Sequence, residues 1–113
     1  MTTAPFLAQY ETICAAYPGH VVLMRLGDFL EAFNAHAETV AQVLGLVITN
    51  PKIDNGKPVR MTGFPLAAAE AQITRLIDAG YKVALAEQVD RAFEADTVKA
   101  LNLRRVVTQE SLF

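Results

Sequence analysis

Cysteine is almost missing from this chain: Cys14 is the one thiol in 113 residues. An internal disulfide is therefore excluded, and the lone thiol fits a reducing compartment. Long hydrophobic runs are missing as well. Stretches such as Val21 to Met24 fall far short of the roughly 20 residues that a membrane-spanning helix needs. The N-terminus lacks the basic start of a secretory signal, and Pro5 interrupts the segment Met1 to Gln9. Together these absences predict a cytoplasmic protein. There is no excess of positive charge either. Ten Lys and Arg stand against twelve Asp and Glu, a net charge of −2, which argues against a grip on nucleic acid made mainly by electrostatics.

Catalytic constellations are equally scarce. His20 and His36 have no metal-like spacing to Cys14 or to carboxylates. No Glu-x-Lys of the kind that holds a divalent ion occurs, and no Gly-x-x-x-x-Gly-Lys-Ser/Thr phosphate loop. Cys14 falls on the apolar face of the first expected helix, a core position. The expectation is a protein without enzymatic activity, ATP hydrolysis, metal or cofactor.

What is present is globular: 52% hydrophobic and 19% charged residues. A chain of this length is expected to form one domain over residues 1–113, burying about two-thirds of its unfolded surface. Thr3 to Ala16 carries an apolar helical stripe at Phe6, Leu7, Tyr10, Ile13, Cys14 and Tyr17, with Pro5 suited to its first turn. Pro18-Gly19 stops it, and His20 to Met24 reads as a buried strand. From Asp28 a period of 3.6 places Leu30, Phe33, Ala37, Val40 and Leu44 on one face of a second helix, closed by Gly45. Leu46 to Thr49 reads as a short strand, Asn50 to Lys57 as a long loop, and Val59 to Phe64 as a returning strand. After Pro65, Leu66, Ala69, Ile73, Leu76 and Ile77 mark a third helix ending near Gly80, and Lys82 to Gln88 follows as a strand. Arg91 to Leu101 is ambiguous, best read as helical turns; Arg104 to Thr108 can supply a last strand. Gln109 to Phe113 is either a frayed end or the start of something else. Helices alternating with strands predict an α/β fold, a mixed β-sheet flanked by α-helices.

The segment Arg25-Leu26-Gly27-Asp28-Phe29-Leu30-Glu31 ends a hydrophobic strand with an aromatic and a carboxylate two residues apart. A plain reading exists: Asp28 and Glu31 have the spacing of a capping box, with Asp28 as N-cap and Glu31 reaching back to a free backbone N–H. Phe29 would then open the helix, off the Leu30, Phe33 and Ala37 stripe. Three cations, Lys52, Lys57 and Arg60, sit near one Asp54; they are either a solvated turn or a local anion contact.

The Phe29-x-Glu31 pattern resembles the mismatch-reading element of the N-terminal domain, domain I, of the MutS family of DNA mismatch-repair proteins. The likeness extends through Leu23 to Phe33, Leu44 to Thr49, the Met61-Thr62-Gly63-Phe64-Pro65 turn, Gly80 to Gln88 and Arg105 to Thr108, in family order and at family-like spacing. It covers nearly the whole chain and implies a mixed sheet surrounded by helices. It also implies that Phe29 wedges into a minor groove and Glu31 hydrogen-bonds a mispaired base, with double-stranded DNA, mismatched or bent, as partner. An apolar ring can enter a base step where unstacking costs a few kcal/mol, less at a mispair. Stacking on the base returns about 1–3 kcal/mol, so selectivity follows deformability. Glu31 cannot cap a helix and touch a base together.

The departures from the family pattern are informative. Leu30 stands where the family is usually aromatic, Leu66-Ala67 where a Tyr-His-like pair is expected, and Thr108-Gln109-Glu110 where Thr-Pro-Gly is expected. The clamp, lever and ATPase regions of that family are not within these 113 residues, which suits a free-standing or excised module. Two readings follow. One is a DNA-binding module using Phe29 and Glu31, with Lys52, Lys57 and Arg60 near phosphates. The other is a protein-interaction module within a larger polypeptide or complex, favoured by the acidic balance and by Leu30, Leu66 and Ala67.

Overall fold

The computed structural model describes residues 5–54, 56–87 and 98–101. Its centre is a sheet of six strands in the order β3-β4-β2-β1-β5-β6. The strands are β1 (His20–Leu26), β2 (Phe29–Phe33), β3 (Thr49–Asp54), β4 (Lys57–Pro65), β5 (Lys82–Glu87) and β6 (Val98–Leu101). Only the β1–β5 pair is parallel, so the sheet is mixed as expected. Helices α1 (Pro5–Ala16), α2 (Asn34–Leu44) and α3 (Ala69–Asp78) cover it, α3 being preceded by a single tight turn at Leu66–Ala68.

Both faces of the sheet are buried. On one, α2 and α3 bring Val40, Leu44, Ile73, Leu76 and Ile77 onto Val21, Leu23, Leu30, Phe64, Val83 and Leu85. On the other, α1 brings Leu7, Tyr10 and Ile13 onto Val22, Met24, Phe33, Met61, Ala84 and Ala86. Successive residues of a strand face opposite sides, so a sheet covered twice needs apolar residues at nearly every position, as Val21 to Met24 supply.

That double burial corrects the second helix. Phe29 to Phe33 is a strand, and α2 begins only at Asn34. Gly27 and Asp28 form the two-residue turn of a hairpin in which Leu26 pairs with Phe29. Gly27 has φ 63, the positive value that such turns demand at their first central residue and that glycine adopts without penalty. Residues 29–33 then give their backbone groups to β1 and β4, so the Asp28–Glu31 capping box does not form. Leu30 and Phe33 mimicked a helical stripe because both are buried, but on opposite faces of the sheet. The true corner is Asn34 at φ 56, a left-handed conformation that Asn tolerates better than most residues. Gly45 closes α2 as expected, its N–H bonded to the Ala41 carbonyl.

The second hairpin is also tighter than expected. The strand lies at Thr49–Asp54 rather than Leu46–Thr49, and Asp54 pairs with Lys57, so the anticipated long loop is mostly strand. Pro51 misled because proline is excluded from central strands; β3 is a sheet edge, and its pairing shifts register between Thr49 and Lys52. At the other edge, Val98–Leu101 pairs with β5 and is not helical. The expectations for Thr3, Ala4, Gln88, residues 91–97 and the strand at 104–108 fall outside the described residues.

Among the described residues no helix is long and apolar enough to cross a membrane, and no group of three or more His, Cys, Asp and Glu is arranged to hold a metal ion.

Candidate functional site

The alternation of β2 decides what Phe29 and Glu31 do together. Phe29, Glu31 and Phe33 share the face covered by α1, while Leu30 and Ala32 face α2 and α3. A spacing of two on a strand puts ring and carboxylate side by side, about 7 Å apart along the chain. On that face the Phe33 ring meets Tyr10 of α1 edge-on at 5.0 Å. Phe29, at the hairpin tip, is 45% exposed, and Glu31 is partly buried. The sheet thus delivers an uncovered aromatic at its rim with a carboxylate one step inward.

The tip is held firmly. Leu26 and Pro65 flank Phe29 on the two neighbouring strands. The Leu66 N–H donates to the Asp28 carbonyl at 2.7 Å, tying the turn after β4 to the hairpin turn. Arg25, two positions before the turn, donates from Nε to the Gly27 carbonyl at 3.2 Å. Among the described residues this places a guanidinium beside the tip, outside the group of Lys52, Lys57 and Arg60. Its signal was positional: a cation at the end of a strand that leads into a Gly-Asp turn.

The three cations singled out in the sequence are not brought to this tip. Arg60 alternates with Met61 and so faces α2, where it pairs with Glu38; both side chains are about half exposed. Since Pro65 pairs with Phe29, Arg60 lies about 17 Å along the strand from the ring. Lys57 begins β4 and Lys52 pairs opposite Val59, so both sit farther along the same hairpin. Phe29 and Glu31 form one patch; Lys52, Lys57 and Arg60 belong to the other end of the sheet.

One polar cluster lies away from this patch. On the N-terminal side of Met24, β1 no longer pairs with β2, and side chains complete its ladder. The Tyr10 hydroxyl donates to the Val22 carbonyl at 2.7 Å and accepts from the Phe33 N–H at 3.3 Å. The Val22 N–H donates to His36 Nδ1 at 3.0 Å. Accepting that bond fixes His36 as the neutral ring with its proton on Nε2, and burial lowers its pKa below the ordinary value. Burial likewise raises that of Tyr10. Cys14, 3.8 Å from the same Nδ1, is pushed up to about 11 by burial and by Glu11. Its thiol stays protonated at neutral pH and is a poor nucleophile. The cluster satisfies backbone; it does not resemble a reaction centre.

A profile of MutS domain I matches residues 4–112. The chain is 41% identical over 109 residues to the DNA mismatch repair protein MutS of Persephonella marina, and 44% identical over 111 residues to that of Symbiobacterium thermophilum. These alignments cover 96% of the chain and 12% of each relative. The MutS of Thermus aquaticus is 41% identical over 105 residues, 93% of the chain and 12% of that protein.

Proposed function

Because the chain belongs to the MutS domain I family, we propose that residues 1–113 form one module that recognises mismatched or deformable duplex DNA through the β1–β2 hairpin tip. Phe29 is the minor-groove wedge and Glu31 the reader of a base edge. The observation that carries this reading is the pairing of an exposed Phe29 with a partly buried Glu31 on the same strand face. A wedge must be rigidly mounted, since a mobile ring would lose entropy on insertion; the Leu66 to Asp28 bond and the flanking strands supply that mount.

Electrostatics supports selectivity over strength. The net charge is −2, and a carboxylate one step behind the wedge is repelled by backbone phosphates, which disfavours undistorted duplex. Arg25 flanks the tip. Lys52, Lys57 and Arg60 would meet phosphates several base pairs from the wedged step. Arg60 would first leave Glu38, at little cost because exposed ion pairs contribute about 0–1 kcal/mol. No enzymatic step, ATP or cofactor enters this function, which is that of a recognising part. The chain spans 12% of the length of its relatives, and the rest of such a polypeptide is the natural source of further DNA contacts.

The second reading, a protein-interaction module, draws on the apolar residues around the tip, where Leu26 and Pro65 pair on either side of Phe29. A titration of matched and singly mismatched duplex at low salt separates the two, with Glu31→Gln beside the wild type. Neutralising the carboxylate is expected to tighten binding to matched duplex and shrink the preference for the mispair. Unchanged affinity and preference for Glu31→Gln would remove Glu31 from the site, and absence of any DNA binding by the wild type would favour the interaction module.

A further inference from the structure

We infer that Gly63 is a positioning residue for Glu31, holding open the space that fixes where the carboxylate stands; the inference rests on the DNA-reading role proposed above. Gly63 pairs directly with Glu31 across β2 and β4, so the two share one face of the sheet. A Cβ at Gly63 would lie 2.6 Å from the Leu30 carbonyl oxygen, 2.9 Å from Glu31 Cγ and 3.3 Å from Glu31 Cα. The other described glycines, Gly19, Gly27, Gly45, Gly56 and Gly80, show the opposite pattern, each with positive φ and open space around the missing Cβ. Those are glycines because the backbone turns. Gly63 has no positive φ; it is a glycine because Glu31 and the β2 backbone occupy its side-chain volume.

The consequence is conformational. With Glu31 Cγ 2.9 Å from where a Gly63 Cβ would stand, rotation about the first side-chain bond of Glu31 is restricted by β4 on one side and by Met24, its partner on β1, on the other. The carboxylate, with Oε1 buried, is thereby held in one place behind Phe29 instead of sweeping the rim. Any larger residue at 63 has to displace the Glu31 side chain, and it presses on the Leu30 carbonyl as well.

The test uses the wild-type chain, Gly63→Ala, Glu31→Ala and the double variant. Three-bond couplings to Glu31 Cγ, measured by NMR, report its rotamer, and titrations of folded protein with mismatched and matched duplex report the preference. The wild type is expected to show one Glu31 rotamer, an observation that holds even if Gly63→Ala fails to fold. Gly63→Ala should change that rotamer and reduce the mismatch preference by about 3- to 10-fold, an effect absent in the Glu31→Ala background. Averaged couplings in the wild type would overturn the inference. So would an unaltered rotamer in Gly63→Ala, or an equal loss of preference with and without Glu31, the mark of a purely structural role. If Glu31→Ala itself leaves the preference unchanged, the DNA-reading role fails, and the Glu31 rotamer in Gly63→Ala still decides the positioning.

Discussion

Phe29 and Phe33 lie four residues apart on one face of one strand and make opposite predictions. Phe33 is 1% exposed, under α1 and edge-on to Tyr10; truncation to alanine leaves a cavity that neither the helix nor the sheet can collapse, and should cost about 3–5 kcal/mol. Phe29 is 45% exposed. Full burial of such a ring contributes about 1.5–3 kcal/mol, so Phe29→Ala forfeits only about half of that. In urea, with a slope of about 1–3 kcal/mol per molar for a chain of this size, the Phe33→Ala midpoint should fall by about 2 M and that of Phe29→Ala by well under half as much. The DNA assay should invert the order. If the ring stacks on an unstacked base, Phe29→Ala loses about 1–3 kcal/mol, about 5- to 150-fold in affinity for the mispaired duplex, with a smaller loss on matched duplex. Urea denaturation followed by circular dichroism and fluorescence anisotropy with labelled duplexes measure both. If Phe29→Ala proves as destabilising as Phe33→Ala, or leaves the mismatch preference intact in folded protein, the wedge is not Phe29.

Two further outcomes are expected. Stability should fall as pH drops through the ordinary histidine range, because His36 must stay neutral to accept the Val22 N–H. Its folded pKa is lowered, so the unfolded chain takes up the proton first, and stability is full above about pH 6.5 and declines below it. Urea midpoints from about pH 7.5 to 5.5 check this: His36→Gln, which keeps an acceptor but no titration, should flatten that slope, and an equal slope in the variant would refute the assignment. Binding to duplex should have a log–log salt slope of about −3 or shallower, since Arg25, Lys52, Lys57 and Arg60 are spread along the sheet and Arg60 is engaged by Glu38. A slope much steeper, or submicromolar affinity at physiological salt, would reveal a cationic surface among residues not described.

Much of the architecture was legible because certain signals admit one reading. Pro18-Gly19 and Gly45 end helices for backbone reasons that no tertiary contact reverses. The stripe on α3 carries a periodicity that survives packing, and the apolar run at β1 is too short for a buried helix. The elements misread were those where two structures share one pattern. Leu30 and Phe33 fit a helical stripe, and a strand buried on both faces fits it equally; nothing local distinguishes them, since the choice depends on whether β4 is there to pair. The same holds for β3, where Pro51 argues against a strand unless that strand lies at an edge.

The sequence alone therefore determined the class of fold, the punctuation of its elements and the presence of a Phe-x-Glu pair. Tertiary structure decided what that pair is. In a helix, residues two apart diverge by about 200 degrees and Glu31 would cap its own backbone; in a strand they lie on one face. Pairing of β2 between β1 and β4 selects the strand, its place beside the hairpin turn leaves Phe29 exposed, and the opposing Gly63 gives Glu31 its room. Each of these depends on contacts between residues distant in the chain, and that is why no reading of neighbouring residues supplies them.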